Sequence, residues 1–154
     1  MSSIEDLERV LLAMAAAIEV RMREAIERGA VMIERETKRE IRHYQPAVGA
    51  LPGWPRLRPS TLREKTRLGY SPPANPLLRT GEMRAGIRHT MMDPMMSGGR
   101  IEARVGVNGV VAVVQERGGG RVPARSYLER AARRKEEAVV DEVRRQLGRA
   151  LKLP

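Results

Sequence analysis

The sequence predicts an α+β fold: a small antiparallel sheet flanked by a long N-terminal helix and a long C-terminal helix, with an extended Pro-rich loop. Three observations carry this. Apolar residues recur at three- and four-residue spacing at both ends of the chain. One strict apolar/polar alternation lies between them, and seven of the ten prolines fall within residues 46–76. At 154 residues the chain is expected to form one domain, 1–154.

The N-terminal helix is expected over residues 1–45. Ile4, Leu7, Leu11, Met14, Ile18, Met22, Ala25 and Ile26 form one stripe, the period of a helix that buries a single face. Ser2 and Glu5 have the spacing of a capping box. Gly29 leaves two readings open: one helix carrying a glycine at a cost of about 1 kcal/mol, or two helices broken there. Beyond Ile33 the stripe thins to Thr37, Ile41 and Tyr44 among charges.

Residues 46–76 form the Pro-rich loop. Proline fixes φ and removes a backbone donor, so regular structure cannot run through it. Residues 60–67 can form a short helix with Pro59 just before. The single Trp, Trp54, lies in this loop. It either pins the loop to the body or inserts into a partner's pocket, as Trp often does at hot spots.

Residues 77–123 hold a short helix and the small sheet. Thr80 is placed to cap a helix over residues 81–87, with Glu82 in its first turn. Residues 88–92 read as a strand, and residues 93–99 as a turn. Ile101, Ala103, Val105 and Val107 alternate with Glu102, Arg104 and Gly106, the pattern of a half-buried strand. Asn108-Gly109 is a tight-turn signal. Residues 110–114 are either a third strand or a short helix. A C-terminal helix is expected over residues 124–154, its apolar positions being Leu128, Ala131, Ala132, Val139, Val143, Leu147 and Leu151. Two or three strands leave open edges, which invite pairing with a neighbouring subunit.

Composition narrows the function. Hydrophobic residues make up 42%, but there is no Phe and aromatics are only 3%. A core of Leu, Ile, Val, Ala and Met packs less specifically than one with rings, so partner subunits are expected to supply some burial. The absence of cysteine excludes disulfides and Cys-based zinc sites and fits a reducing cytoplasm. No segment reaches the ~18–20 apolar residues of a membrane span, and the acidic start (Glu5, Asp6, Glu8) argues against a signal peptide. The net charge is +10. It is uneven: residues 1–45 hold nine acids against eight bases, whereas the remainder is strongly basic. Such a field favours DNA, RNA or an acidic protein surface without choosing among them.

Sites of chemistry are not evident. Gly118-Gly119-Gly120-Arg121 lacks the ending of a phosphate-binding loop and reads as a flexible turn. His43 and His89 have no ligand pattern around them. Ser126 lacks a context that activates a hydroxyl. No catalytic, metal or cofactor residue is nominated, and no enzyme activity is expected. Met91, Met92, Met95 and Met96 cluster about a turn, as a binding surface or a partly covered hairpin tip. Arg130, Arg133, Arg134 and Lys135 lie on the last helix, ahead of Glu136, Glu137, Asp141 and Glu142 and then Arg144, Arg145, Arg149 and Lys152. They read as a solvated face with i,i+4 pairs, as DNA contacts, or as an interface with an acidic protein. No nucleic-acid recognition module is identifiable.

Three segments, in order, carry a resemblance. Residues 53–65, with Gly53, Trp54, Leu57, Thr61 and Lys65, resemble the "G-x-x-W-x-x-L-x-x-x-T-x-x-x-K" element, altered by extra prolines. Pro76 to Ile87, with Leu77, Thr80, Gly81, Arg84 and Ile87 in place and Met83 and Gly86 at the second leucine and the serine, resembles the "L-x-x-T-G-x-L-R-x-S-I" element. Ala112 through Gly118, then Val122-Pro123-Ala124-Arg125-Ser126-Tyr127-Leu128, resemble "Y-A-x-x-H-Q-x-G … I-P-A-R-P-F-L". Val111 stands at the tyrosine, Ser126 at the second proline and Tyr127 at the phenylalanine. Over residues 50–130 the chain resembles the phage virion morphogenesis family, the tail-completion proteins of Mu-like tailed bacteriophages. The resemblance implies a structural, non-enzymatic protein of the neck that joins tail to head. It implies a homo-oligomeric ring, commonly of six subunits, touching neighbouring neck and tail proteins in a virion assembled in the host bacterial cytoplasm. The interface candidates are then Trp54, Arg79, Arg84, Arg125, Tyr127 and Leu128. Arg130, Arg133, Arg134 and Lys135 would meet passing genomic DNA non-specifically. The alternative is a stand-alone basic nucleic-acid-binding protein.

Overall fold

The computed structural model describes residues 3–152. The elements, in order, are α1 (Ile4–Glu40), α2 (Pro59–Arg67), α3 (Glu82–Gly86), β1 (Arg88–Met91), β2 (Ala103–Gly106), α4 (Val110–Arg117) and α5 (Leu128–Leu151). The fold is α+β: two long helices and a two-stranded antiparallel sheet, β1 paired with β2. The apolar run at residues 110–114 belongs to α4 rather than to a third strand.

Helix α1 runs unbroken for 37 residues. Gly29 is therefore not a break. A Cβ placed there would lie 2.9 Å from Val139 Cγ1 of α5, so the glycine is needed for close approach of the two helices. At the start, Ser3 Oγ accepts from the Asp6 N–H at 3.3 Å and Asp6 Oδ2 accepts from the Ser3 N–H at 3.2 Å. This is a reciprocal cap one residue along from the expected pair, whose Ser2 lies outside the described residues. At the other end α1 stops at Glu40, short of residue 45. Gln45 turns back, and its amide Nε2 donates to the Glu40 and His43 carbonyls, each at 3.0 Å. It thereby satisfies carbonyls that a helix end leaves without partners.

Contacts divide the chain into two compact units. One holds the residues up to Val31, Thr90–Arg104 and the chain from Glu136 onward. Here Ala25, Ala30 and Ala150 are buried, and so are two polar residues of α5, Glu142 and Gln146. Arg28 donates to Glu142 at 3.0 Å, and Gln146 donates to the same carboxylate at 2.8 Å. The other unit holds Met32–His89 and Val105–Lys135. Its core is Ile41, Trp54, Ile87 and Tyr127, packed about by Tyr44, Leu77, Leu78, Met83, Val105, Val107 and Leu128. Within it, α2 begins with Pro59 in its first turn, where a missing N–H costs nothing. Gly81, at φ 88°, precedes α3, and Thr80 Oγ1 accepts from the Glu82 N–H at 3.3 Å.

The crowding at Gly29 gives a test. Gly29→Ala lowers stability in the native chain, because the added methyl meets Val139. In a Val139→Ala background the same substitution raises stability by about 1 kcal/mol, the helical preference of alanine over glycine. Urea unfolding of the four variants, followed by circular dichroism, checks the reversal of sign.

Candidate functional site

The three motif segments meet around the start of α5. Gly118 begins the return of the chain from α4, at φ 77°, and a Cβ there would come within 2.9 Å of the Ala124 nitrogen. Only glycine allows that approach. The chain closes the turn with paired hydrogen bonds between Gly119 and Val122 at 3.0 and 2.9 Å, and the Arg125 N–H then donates to the Gln115 carbonyl at 2.7 Å. This doubling back sets Glu116 of α4 opposite the first turn of α5. Its carboxylate accepts from the N–H groups of Tyr127 at 2.7 Å, Leu128 at 2.9 Å and Glu129 at 3.0 Å. A helix start concentrates unpaired donors and positive potential. A carboxylate from a neighbouring helix satisfies both, in the place where a phosphate would sit.

The Pro-rich loop is held by cations that reach its main chain. Arg125, buried, donates to the Pro55 carbonyl through Nε at 3.2 Å and Nη2 at 3.0 Å. Arg130 is wholly buried. It donates to the Pro46 carbonyl, to that of Pro52 at 2.5 Å, and to that of Ser126 at 3.4 Å. Burial pushes the pKa of both guanidinium groups down from their ordinary value, yet arginine starts so high that both keep their charge. Buried Lys65 on α2 donates to the Asn75 carbonyl at 2.6 Å, and burial, then Arg79, lowers its pKa. The Tyr44 hydroxyl accepts from the Leu57 N–H at 3.0 Å, and Arg56 lies over the Tyr44 ring at 4.4 Å.

Several candidate interface residues turn inward. Trp54 is buried in the core, and its Nε1–H donates to the Ser126 carbonyl at 3.4 Å. Of its two readings, the loop-pinning one holds. Tyr127 is 1% exposed, and its hydroxyl donates to the Ala112 carbonyl at 3.1 Å. Burial, with the Glu116 charge adding to it, pushes that hydroxyl up to about 12. The expected partner-facing roles of Trp54, Arg125 and Tyr127 are thus corrected: these side chains fill or brace the subunit. Leu128 is half-buried against the same core. Arg79 and Arg84 are exposed. Arg79 pairs with Glu64 at 3.4 Å, and Arg84 donates to the Lys38 carbonyl at 2.8 Å.

The basic residues of α5 are also engaged with the protein. A DNA-facing role for Arg130 is ruled out by its burial. Arg134 lies 3.2 Å from Glu40 and 3.8 Å from Glu36, Lys135 lies 3.5 Å from Glu36, and Arg133 pairs with Glu129 at 2.8 Å. Arg133 alone of the four is a largely exposed side chain, at 47%. Glu36 and Glu40 are buried. Burial works against the charged form of Glu36, but Arg39 and Lys135 outweigh it and hold its pKa low. For Glu40, burial wins over Arg134 and raises the pKa to about 7; neither of its oxygens accepts a hydrogen bond. Glu34 goes the other way. Hydrogen bonds from Lys38 and from His89, whose Nδ1 lies 2.5 Å away, bring it down to about 2. His89 is thus a structural partner of α1. Among the described residues, no three or more His, Cys, Asp or Glu side chains group as a metal site, and no helix is long and apolar enough to cross a membrane.

Sequence reasoning missed Glu116, Lys65 and Gln45 as bracing groups. Lys65 is marked in the sequence as the end of the first motif, though not as a brace, and Glu116 lies next to a glycine run that feeds directly into a helix; Gln45 left no signal. No protein-family model, curated protein or solved structure matches this chain.

Glu116→Ala uncaps α5 and lowers stability by about 1–2 kcal/mol, while Tyr127→Phe costs about 1 kcal/mol for the lost hydroxyl bond; urea unfolding measures both. Glu40 has a raised pKa, so its stabilising contribution is complete below the ordinary value of 4.5 and is lost as pH rises through about 7. Glu40→Gln therefore flattens the fall in thermal midpoint across that window. A variant whose midpoint keeps the native slope would remove Glu40 as its source.

Proposed function

We propose that this chain is a structural, non-enzymatic subunit of the neck or tail-completion class of tailed bacteriophages, assembling into a ring that joins tail to head. The sequence resemblance over residues 50–130 is its starting point. The observation that carries it is the way the three motif segments depend on one another. Trp54 of the first donates to Ser126 of the third, Arg125 of the third donates to Pro55 of the first, and Ile87 of the second packs in one core with Trp54 and Tyr127. Motifs that brace a common corner belong to one folding unit, which favours a single shared architecture over three chance matches.

Two further features favour an assembling subunit. Among the described residues the sheet has two strands, and such a sheet has outer edges that can pair with a neighbouring strand; on β1 the His89 N–H already donates to Glu34 at 2.9 Å, which leaves β2 as the more open side. Long apolar side chains stand in water along α1 and on α4, which in a soluble monomer would be a liability. The partners on this reading are further copies of the chain, six being the common ring number, together with neighbouring neck and tail proteins. The place is the virion, after assembly in the host bacterial cytoplasm. Genomic DNA passing through the ring would meet basic side chains non-specifically.

Light scattering after size-exclusion chromatography is expected to give a closed oligomer, and mass spectrometry of purified particles a stoichiometric component. A strict monomer absent from particles overturns the proposal. DNA retention on this reading is weak and falls steeply between about 50 and 200 mM salt. Tight, sequence-selective binding that survives physiological salt would instead support a stand-alone nucleic-acid-binding protein.

A further inference from the structure

The first half of α1 has the character of an interior element without an interior. Residues 10–18 run Val-Leu-Leu-Ala-Met-Ala-Ala-Ala-Ile, with no polar side chain. A helix apolar on every side is normally buried. Here Ile4 is 85% exposed and Leu12 65%, and Leu7, Val10, Leu11 and Val20 are all more than half exposed. Ile4, Leu7, Glu8, Leu11 and Leu12 line one shallow hollow on this helix. From Ile4 to Val20 the helix is about 25 Å long and about 10 Å across, so the half of its lateral surface that one partner can cover is on the order of 400 Å², about half of one partner's share of a standard protein interface.

A second exposed apolar surface lies on α4. Val110 is 79% exposed, Val111 67% and Val113 53%. Four of the helix's eight residues are valine, a side chain that loses rotamer freedom in a helix. Those valines gain packing only if something covers them. Charge differs in sign between the two surfaces. Residues 3–20 carry Glu5, Asp6, Glu8 and Glu19 against one base, Arg9, which pairs with Asp6 at 3.3 Å. On α4 and in the turn after it lie the exposed Arg117 and Arg121, while the acids at this corner are engaged: Glu116 is bound to the α5 start and Glu129 pairs with Arg133. Met95 and Met96, also exposed, sit next to acidic Asp93 and match the acidic helix less well.

We infer that the apolar, acidic first half of α1 in one copy docks on the Val110–Val111–Val113 face of α4 in the next copy, with Glu5 and Glu8 toward Arg117 and Arg121. Like charges oppose pairing of two α1 segments with each other. The contact joins two different patches, so repeated around an axis it builds a ring when the rotation between copies divides the circle and an open filament when it does not. The inference rests on the ring reading given above and assigns the surfaces that build it.

The chain contains no cysteine, so introduced thiols report only designed contacts. Ile4, Leu7 and Leu11 are each changed to Cys in combination with Val110→Cys, Val111→Cys or Val113→Cys, covering any offset in register, in the full-length protein. Under mild oxidation, at least one double variant is expected to give a reducible ladder of covalent multimers. A mixture of the corresponding single variants is expected to stop at a covalent dimer, with neither single variant linking to itself. Leu11→Asp is expected to raise the concentration needed for assembly about tenfold or more without loss of helix content. A covalent dimer from Leu11→Cys alone would mean that α1 pairs with α1, and the inference falls. An unmodified protein that is oligomeric by light scattering while no pair cross-links overturns the inference and leaves the ring reading standing. A protein that is monomeric at every concentration overturns both.

Discussion

The grip of arginine on main-chain carbonyls organises the larger of the two units. Prolines at 46, 52 and 55 interrupt any ladder that would use the loop's carbonyl groups. Arg125 and Arg130 supply the missing donors, and a guanidinium, with five donors in a fixed plane, is suited to reaching several carbonyls at once. With the loop held, Trp54 is carried into the core beside Ile41, Ile87 and Tyr127. A buried cation without such partners would be costly.

The second constraint is the start of α5. Glu116 serves three N–H groups, the Tyr127 hydroxyl reaches back to Ala112, and the Arg125 N–H binds the Gln115 carbonyl. Helices α4 and α5 are thereby fixed to one another through polar contacts at both sides of the glycine turn. Because Ala112 and Glu116 face that corner, the neighbouring valines of α4 are turned to solvent. The polar bracing on one side of a short helix and the apolar exposure on the other have a common cause.

Much of the architecture was legible in the sequence because periodicity reports burial directly. The alternation from Ile101 to Val107 marks β2, and the stripe from Leu128 to Leu151 marks α5. Periodicity does not report what buries a face. The stripe from Ile4 to Ile18 read as a core face, whereas much of it stands in water; the uncharged run at residues 10–18 was the overlooked sign. Gly29 had two readings because a glycine's reason lies in its neighbour, Val139, over a hundred residues away. The candidate site was legible as a set, since Trp54, Arg125 and Tyr127 do meet. It was not legible as an interior, because an arginine in a sequence looks the same whether water or a carbonyl awaits it.

A carbonyl group is common to every amino acid. The hold of Arg125 and Arg130 on the Pro-rich loop therefore does not depend on the side chains at most loop positions. Arg58, Arg63 and Arg67 are exposed on this region. Their identities can be rewritten, to suit a different neighbour or a different charge, while the path of the polypeptide beneath them stays where the two clamps put it. The subunit thus separates what it shows from what keeps it in shape.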